Sequence, residues 1–197
     1  FKDEKPVDPS VHQAMLGYFK EYMVVGGMPS VVETFLKNHD LNATLSSQKD
    51  LVEEYRDDFG KHLDGNENET INIPLLSKIE ASFNSVPNQL AKENKKFQYS
   101  LIAKGSKGRD YEPAIQWLVD YGLVMKSYNL RKLELPLEGN KIEDSYKLFM
   151  TDSGLLVSLL EQGTAADILN GNLLIYKGAI FENAIAEALN KKDVPLY

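Results

Sequence analysis

RDYEPAIQWLVDYG, residues 109–122, followed directly by LVMKSYNL, residues 123–130, is the stretch whose reading decides the fold. Tyr111, Ala114, Ile115, Leu118 and Tyr121 recur every three or four residues, which predicts a helix from about Arg109 to Tyr121 with one apolar side. Gly122 is placed to end it, because glycine adopts the left-handed cap at no steric cost. Leu123 to Leu130 is β-prone, and so is Lys132 to Leu135, which Pro136 closes. A third β-prone segment, Tyr146 to Met150, precedes Asp152, a cap for a helix running through Leu160. Working back from Arg109, a short element at Val86 to Lys92 starts from Ser85 and Pro87. Before it, Asn72 caps a helix that passes Pro74 and carries Leu76, Ile79 and Phe83. Helix, short helix, helix, strand, turn, strand is the order of a winged helix-turn-helix.

Three helices are expected further upstream. Val11, Met15, Tyr18, Phe19, Tyr22 and Met23 stand at helical spacing over residues 10–25, with Ser10 as cap and Gly26-Gly27 as stop. Pro29 suits the first turn of the next helix, which has Val31, Val32, Phe35 and Leu36 as its stripe. From Asn42 to Leu63 a third helix lines up Leu45, Leu51, Val52, Tyr55, Phe59 and Leu63, and its acidic run Asp50, Glu53, Glu54, Asp57, Asp58 reads as a solvated face. DGNENET, residues 64–70, is a polar linker. At the other end an amphipathic helix over Tyr176–Asn190 carries Ile180, Phe181, Ile185 and Leu189, and Val194 to Tyr197 looks like the opening of a strand. The expected architecture is mainly α with a small β component: a helical subdomain at 1–70, a winged helix-turn-helix-like domain at 71–150, and C-terminal helices at 151–197.

Composition narrows the function classes. The 197 residues are 43% hydrophobic and carry a net charge of −7, so the surface as a whole does not coat nucleic acid. Cysteine is absent, which removes disulfides, thiol nucleophiles and thiolate metal sites. No apolar run approaches the roughly 18 residues of a membrane span, and Phe1 to Lys5 opens no signal sequence. The expected setting is cytoplasmic, with no membrane partner. His12, His39 and His62 stand far apart with no second ligand at helical spacing, so no metal site is expected. Gly105-Ser106-Lys107-Gly108-Arg109 has neither the spacing nor the terminal Lys-Ser/Thr pair of a phosphate-binding loop. No Gly-x-Ser-x-Gly turn is present either, so neither a cofactor nor a complete active site is expected.

One constellation has a mechanism. Between Asn88 and Asp110, six cations stand against Glu93 and Asp110 in a chain that is otherwise acidic. Lys95, Lys96, Lys104, Lys107 and Arg109 are the expected phosphate contacts, and Gln116 lies further along the helix that such a motif sends into the major groove. Trp117 is expected in the core beside Leu118 and Tyr121 rather than stacked on a base.

Several patches, in order along the chain, carry a family resemblance. They include Tyr22 to Val32, Tyr55 to Asp58, Ser85 to Ala91, Lys95-Lys96-Phe97, Tyr111-Glu112, Tyr121 to Val124, Leu135-Pro136-Leu137, Lys147 to Leu156 and Lys177 to Asn183. Together they resemble the region that follows the nucleotide-binding domain in a family of prokaryotic AAA-type P-loop ATPases, much of it a domain of unknown function. The resemblance implies a parent with an upstream ATPase domain that uses ATP and magnesium, and a nuclease-like domain of which this chain holds only the start. Glu182 matches the glutamate on the first helix of that nuclease-like fold; the rest of its site would follow Tyr197. The implied role is a non-catalytic regulatory or DNA-contacting region, with duplex DNA and the ATPase domain as partners and a homo-oligomer compatible with it. The alternatives are a protein-interaction module without nucleic-acid binding and a fragment of a metal-dependent nuclease.

Overall fold

The computed structural model describes residues 6–61, 73–92, 96–172 and 176–197. The expected linker at 64–70, His62 and Lys95 lie outside them. The described residues form α1 (Pro9–Val25), α2 (Pro29–Asn38), α3 (Leu41–Lys61), α4 (Ile73–Ala91), α5 (Gly108–Asp120), β1 (Val124–Leu130), β2 (Lys141–Met150), α6 (Ser153–Ser158), α7 (Thr164–Asn170) and α8 (Lys177–Asn190). Single 3₁₀ turns occupy Tyr99–Leu101 and Leu137–Asn140. The chain is mainly helical with one small antiparallel sheet, as its sequence predicts.

The main core is an aromatic stack that three helices share. Phe59 of α3 meets Phe83 of α4 edge to face at 5.6 Å and Trp117 of α5 at 5.4 Å. Trp117 stacks flat on Tyr121 at 4.7 Å, so the single tryptophan belongs to the core. Val52, Ile79, Ile115 and Leu118 fill the space around these rings, and Met150, Leu155 and Ala179 extend it toward β2, α6 and α8. A second, smaller cluster joins Met23 and Val24 at the end of α1 to Val157, Ile168 and Ile180.

Four local expectations are corrected. The short helix expected at Val86–Lys92 is the last part of α4, which runs through Pro87. Phe83, Val86 and Leu90 on one side of that helix are buried, and this burial outweighs a proline cost of about 3 kcal/mol. Among the described residues between α4 and α5, the one helical element is the 3₁₀ turn Tyr99–Leu101. The partner of β1 is not Lys132–Leu135 but β2, with Val124 opposite Met150 and Tyr128 opposite Tyr146. Residues 131–136 form an exposed hairpin connection, because their alternating leucines meet no covering layer whereas Tyr146 to Met150 lie against the helices. Asp8, not Ser10, caps α1, accepting the Ser10 N–H at 2.9 Å. The apolar stripe expected to bury α1 is exposed over its first three turns, and burial begins at Met23.

Candidate functional site

The basic edge is built from the segment that enters α5. Gly105, at φ +82°, turns the chain after the 3₁₀ segment, and α5 then starts at Gly108 with Lys107 as its N-cap. No side chain caps this end, so the amide groups of the first turn lack a side-chain acceptor and the helix dipole adds positive potential there. Lys104, Lys107 and Arg109 are exposed around it. Lys104 and Lys107 form no ion pair with a described residue, and Arg109 has only its neighbour Asp110 at 3.7 Å. Lys96 is also exposed and free of such a pair, next to Phe97, whose N–H donates to the Tyr146 carbonyl at 2.7 Å. That bond lays residues 96–98 along the outer edge of β2.

Gln116 is exposed but engaged. Its amide donates to Asp120 at 2.8 Å, and its oxygen accepts from Lys126 Nζ at 3.0 Å. Lys126, only 6% exposed, also binds Glu112 at 2.6 Å and lies over the Tyr146 ring. The Glu112 carboxyl in turn accepts from the hydroxyls of Tyr99 and Tyr146 at 2.8 and 2.7 Å. Burial alone would raise the Glu112 carboxyl, but hydrogen bonds from Lys126, Tyr146 and Tyr99 hold it below the usual range. Burial pushes the Tyr99 hydroxyl up to about 12 and that of Tyr146 higher still, aided by the neighbouring carboxylate. This cluster fastens α5 to the sheet, and it engages Gln116, the expected nucleic-acid contact further along that helix.

Glu182 pairs with Lys147 of β2 at 2.7 Å. Among the described residues no group of three or more His, Asp or Glu side chains is placed to hold a metal ion. His12 is exposed, and His39 ends α2 at φ +48° with its ring against Phe35.

A buried polar junction brings together residues that are far apart in the chain. Gly26 turns the chain out of α1 at φ +74°, and the next N–H, of Gly27, donates to Asp152 at 2.6 Å. The other Asp152 oxygen caps α6 through Leu155 N at 2.9 Å, as the sequence predicts. Burial raises the Asp152 carboxyl above the ordinary carboxylate range, against the pull of those two bonds. Glu187 of α8, 1% exposed, accepts from Ser153 N at 3.0 Å and from the Ser153 hydroxyl. Its second oxygen accepts from Tyr22 at 2.5 Å and from Lys191 at 2.6 Å. Gln48 completes the junction by donating to the Val24 and Val25 carbonyls at the open end of α1. Sequence reasoning picked out Gly26-Gly27 and Asp152 as stop and cap. It missed Glu187 and Lys191, whose i, i+4 spacing at the end of α8 was the available signal.

The described geometry therefore separates an exposed basic edge from two internal polar clusters. No curated protein and no solved structure matches the chain. A protein-family model does match, over residues 16–166, from the middle of α1 into α7, and its description is domain of unknown function (DUF8612). With well over half of its length matched, this chain belongs to the DUF8612 family.

Proposed function

We propose that this chain is a non-catalytic regulatory region of a prokaryotic AAA-type ATPase, and that its α4–β2 segment works as a winged helix gripping the phosphates of duplex DNA. The observation that carries the reading is the convergence of Lys104, Lys107 and Arg109 on the uncapped end of α5, in a chain of net charge −7. Unpaired lysines beside a helix start that no side chain caps form an anion site, and phosphate contact needs no more than that. Lys96 extends the edge along β2. Support for the winged arrangement comes from the Phe97–Tyr146 bond, which sets the chain before the 3₁₀ turn against the hairpin β1–β2. Because Gln116 is held by Lys126 and Asp120, the contact is with backbone phosphate and is insensitive to base sequence. ATP and magnesium would be bound by the parent's nucleotide domain, since no phosphate-binding loop lies in this sequence.

The test is fluorescence anisotropy of a labelled duplex at several salt concentrations. Binding should weaken steeply with salt, by about 0.9 in the logarithmic slope for each phosphate neutralised. Replacing Lys96, Lys104, Lys107 and Arg109 with Gln should abolish it, while Gln116→Ala should leave the affinity unchanged and equal for duplexes of different sequence. Absence of binding at low salt would remove this reading. A protein-docking module would then lead, favoured by Leu133 and Leu135 on the β1–β2 hairpin, which are 89% and 88% exposed.

A further inference from the structure

The first three turns of α1 pose a physical problem. Residues 6–18 are exposed, so this part of the helix projects from the body, which it meets at Phe19. A helix of that length is marginal in water on its own, and most helices are held by burial of one face. The face exists. Val11, Met15, Tyr18 and Tyr22 are spaced 4, 3 and 4 residues apart, the alternation that keeps a seam facing a partner helix. Met15 is 56% and Tyr18 71% exposed, and Phe19 flanks them, its ring stacked on Phe181 of α8.

We propose that α1 pairs antiparallel with α1 of a second copy of this chain. Charge favours this occupant. Lys20 and Glu21 are the formally charged side chains of α1, and Lys20 points away from the seam to α7, where its Nζ lies beside Gly171. Glu21 alone flanks the seam, and in antiparallel register it faces Ala14 of the other copy, so no like charges meet. The two-fold axis passes between residues 16 and 17, setting Met15 against Tyr18 and Val11 against Tyr22 of the other copy. In this register each projecting end lies alongside the base of its partner, and the two bodies stand at opposite ends of the pair. A parallel pair would crowd the bodies together at one end. The exposed seam amounts to about 500 Å² per copy and about 1,000 Å² in all, the low end for a specific interface and the size of a weak, reversible one. This inference stands apart from the proposed DNA contact, which uses other residues.

Sedimentation velocity on the 197-residue chain, from about 1 to about 300 μM, tests it; that range brackets a micromolar dissociation constant. The expected result is a concentration-dependent monomer–dimer equilibrium that Met15→Glu with Tyr18→Glu reduces to monomer. Both side chains are exposed, so unchanged circular dichroism shows that the variant folds. Orientation is read by cross-linking, because the chain has no cysteine of its own. A mixture of Met15→Cys and Tyr18→Cys chains should form the mixed disulfide in preference to either symmetric one. A monomer at every concentration, a dimer that survives the double substitution, or a preference for symmetric disulfides would each overturn the proposal.

Discussion

Replacing Gly26 with Ala should be among the most damaging single changes in this chain. A Cβ built at Gly26 falls 2.1 Å from Oδ1 and 2.8 Å from Oδ2 of Asp152, with Cγ also at 2.8 Å. The carboxylate has nowhere to retreat, since it caps α6 through Leu155 N and holds Gly27 N. Displacing it removes the cap, costing about 1 kcal/mol. It also breaks a hydrogen bond to a charged acceptor, about 1.5–3 kcal/mol. Holding a non-glycine residue at φ +74° and ψ −160° costs a further 1–3 kcal/mol or so. The expected loss is about 4 kcal/mol or more, a large part of the roughly 5–15 kcal/mol that stabilises a typical domain. Urea unfolding followed by far-ultraviolet circular dichroism measures it. Gly17→Ala is the matched control: nothing lies within 4 Å of its Cβ, so in an exposed helix it should gain about 0.5–1 kcal/mol. A loss below about 1.5 kcal/mol for Gly26→Ala, within reach of the cap alone, would refute the reasoning, because the Asp152 carboxylate would then be free to move.

Three other consequences are open to measurement. Phe59→Ala removes the ring that α3, α4 and α5 share and should cost about 3–5 kcal/mol, read as a lower urea midpoint with an unchanged slope. Tyr99 ionises in the unfolded chain near 10 and in the fold at about 12, so its contribution to stability is complete below pH 10 and is lost as pH rises toward 12. Tyr99→Phe should flatten the fall in stability between those pH values, with tyrosinate absorbance as the direct readout. Glu112 has the opposite sign. Its folded value is depressed, so its contribution is present above its unfolded value of about 4.5 and is lost as pH falls through the folded one. Stability of Glu112→Gln should depend less on pH in that acid range.

Local chemistry in the sequence determined much of this protein. The periodicity of Tyr111 to Tyr121, the stop at Gly122 and the cap at Asp152 each depend on a residue and its near neighbours, and each stands where expected. The mainly helical class with a small sheet follows from the same signals. Tertiary structure decided what those signals leave open. Periodicity shows that α1 has an apolar face but not what covers it, and within this chain only Met23 to Val25 are buried. Proline usually breaks a helix, yet the depth at which Phe83, Val86 and Leu90 pack keeps α4 continuous through Pro87. Strand propensity alone did not show that β1 would pass over Lys132–Leu135 for residues 141–150, since that choice depends on which segment meets the helices. Gln116 was legible as a polar candidate contact along the helix that became α5. Its engagement by Lys126 was not, because that contact spans the turn from helix to strand. Glu187, Ser153, Tyr22 and Gly27 stand up to 165 residues apart in the chain, and only the fold makes them one junction.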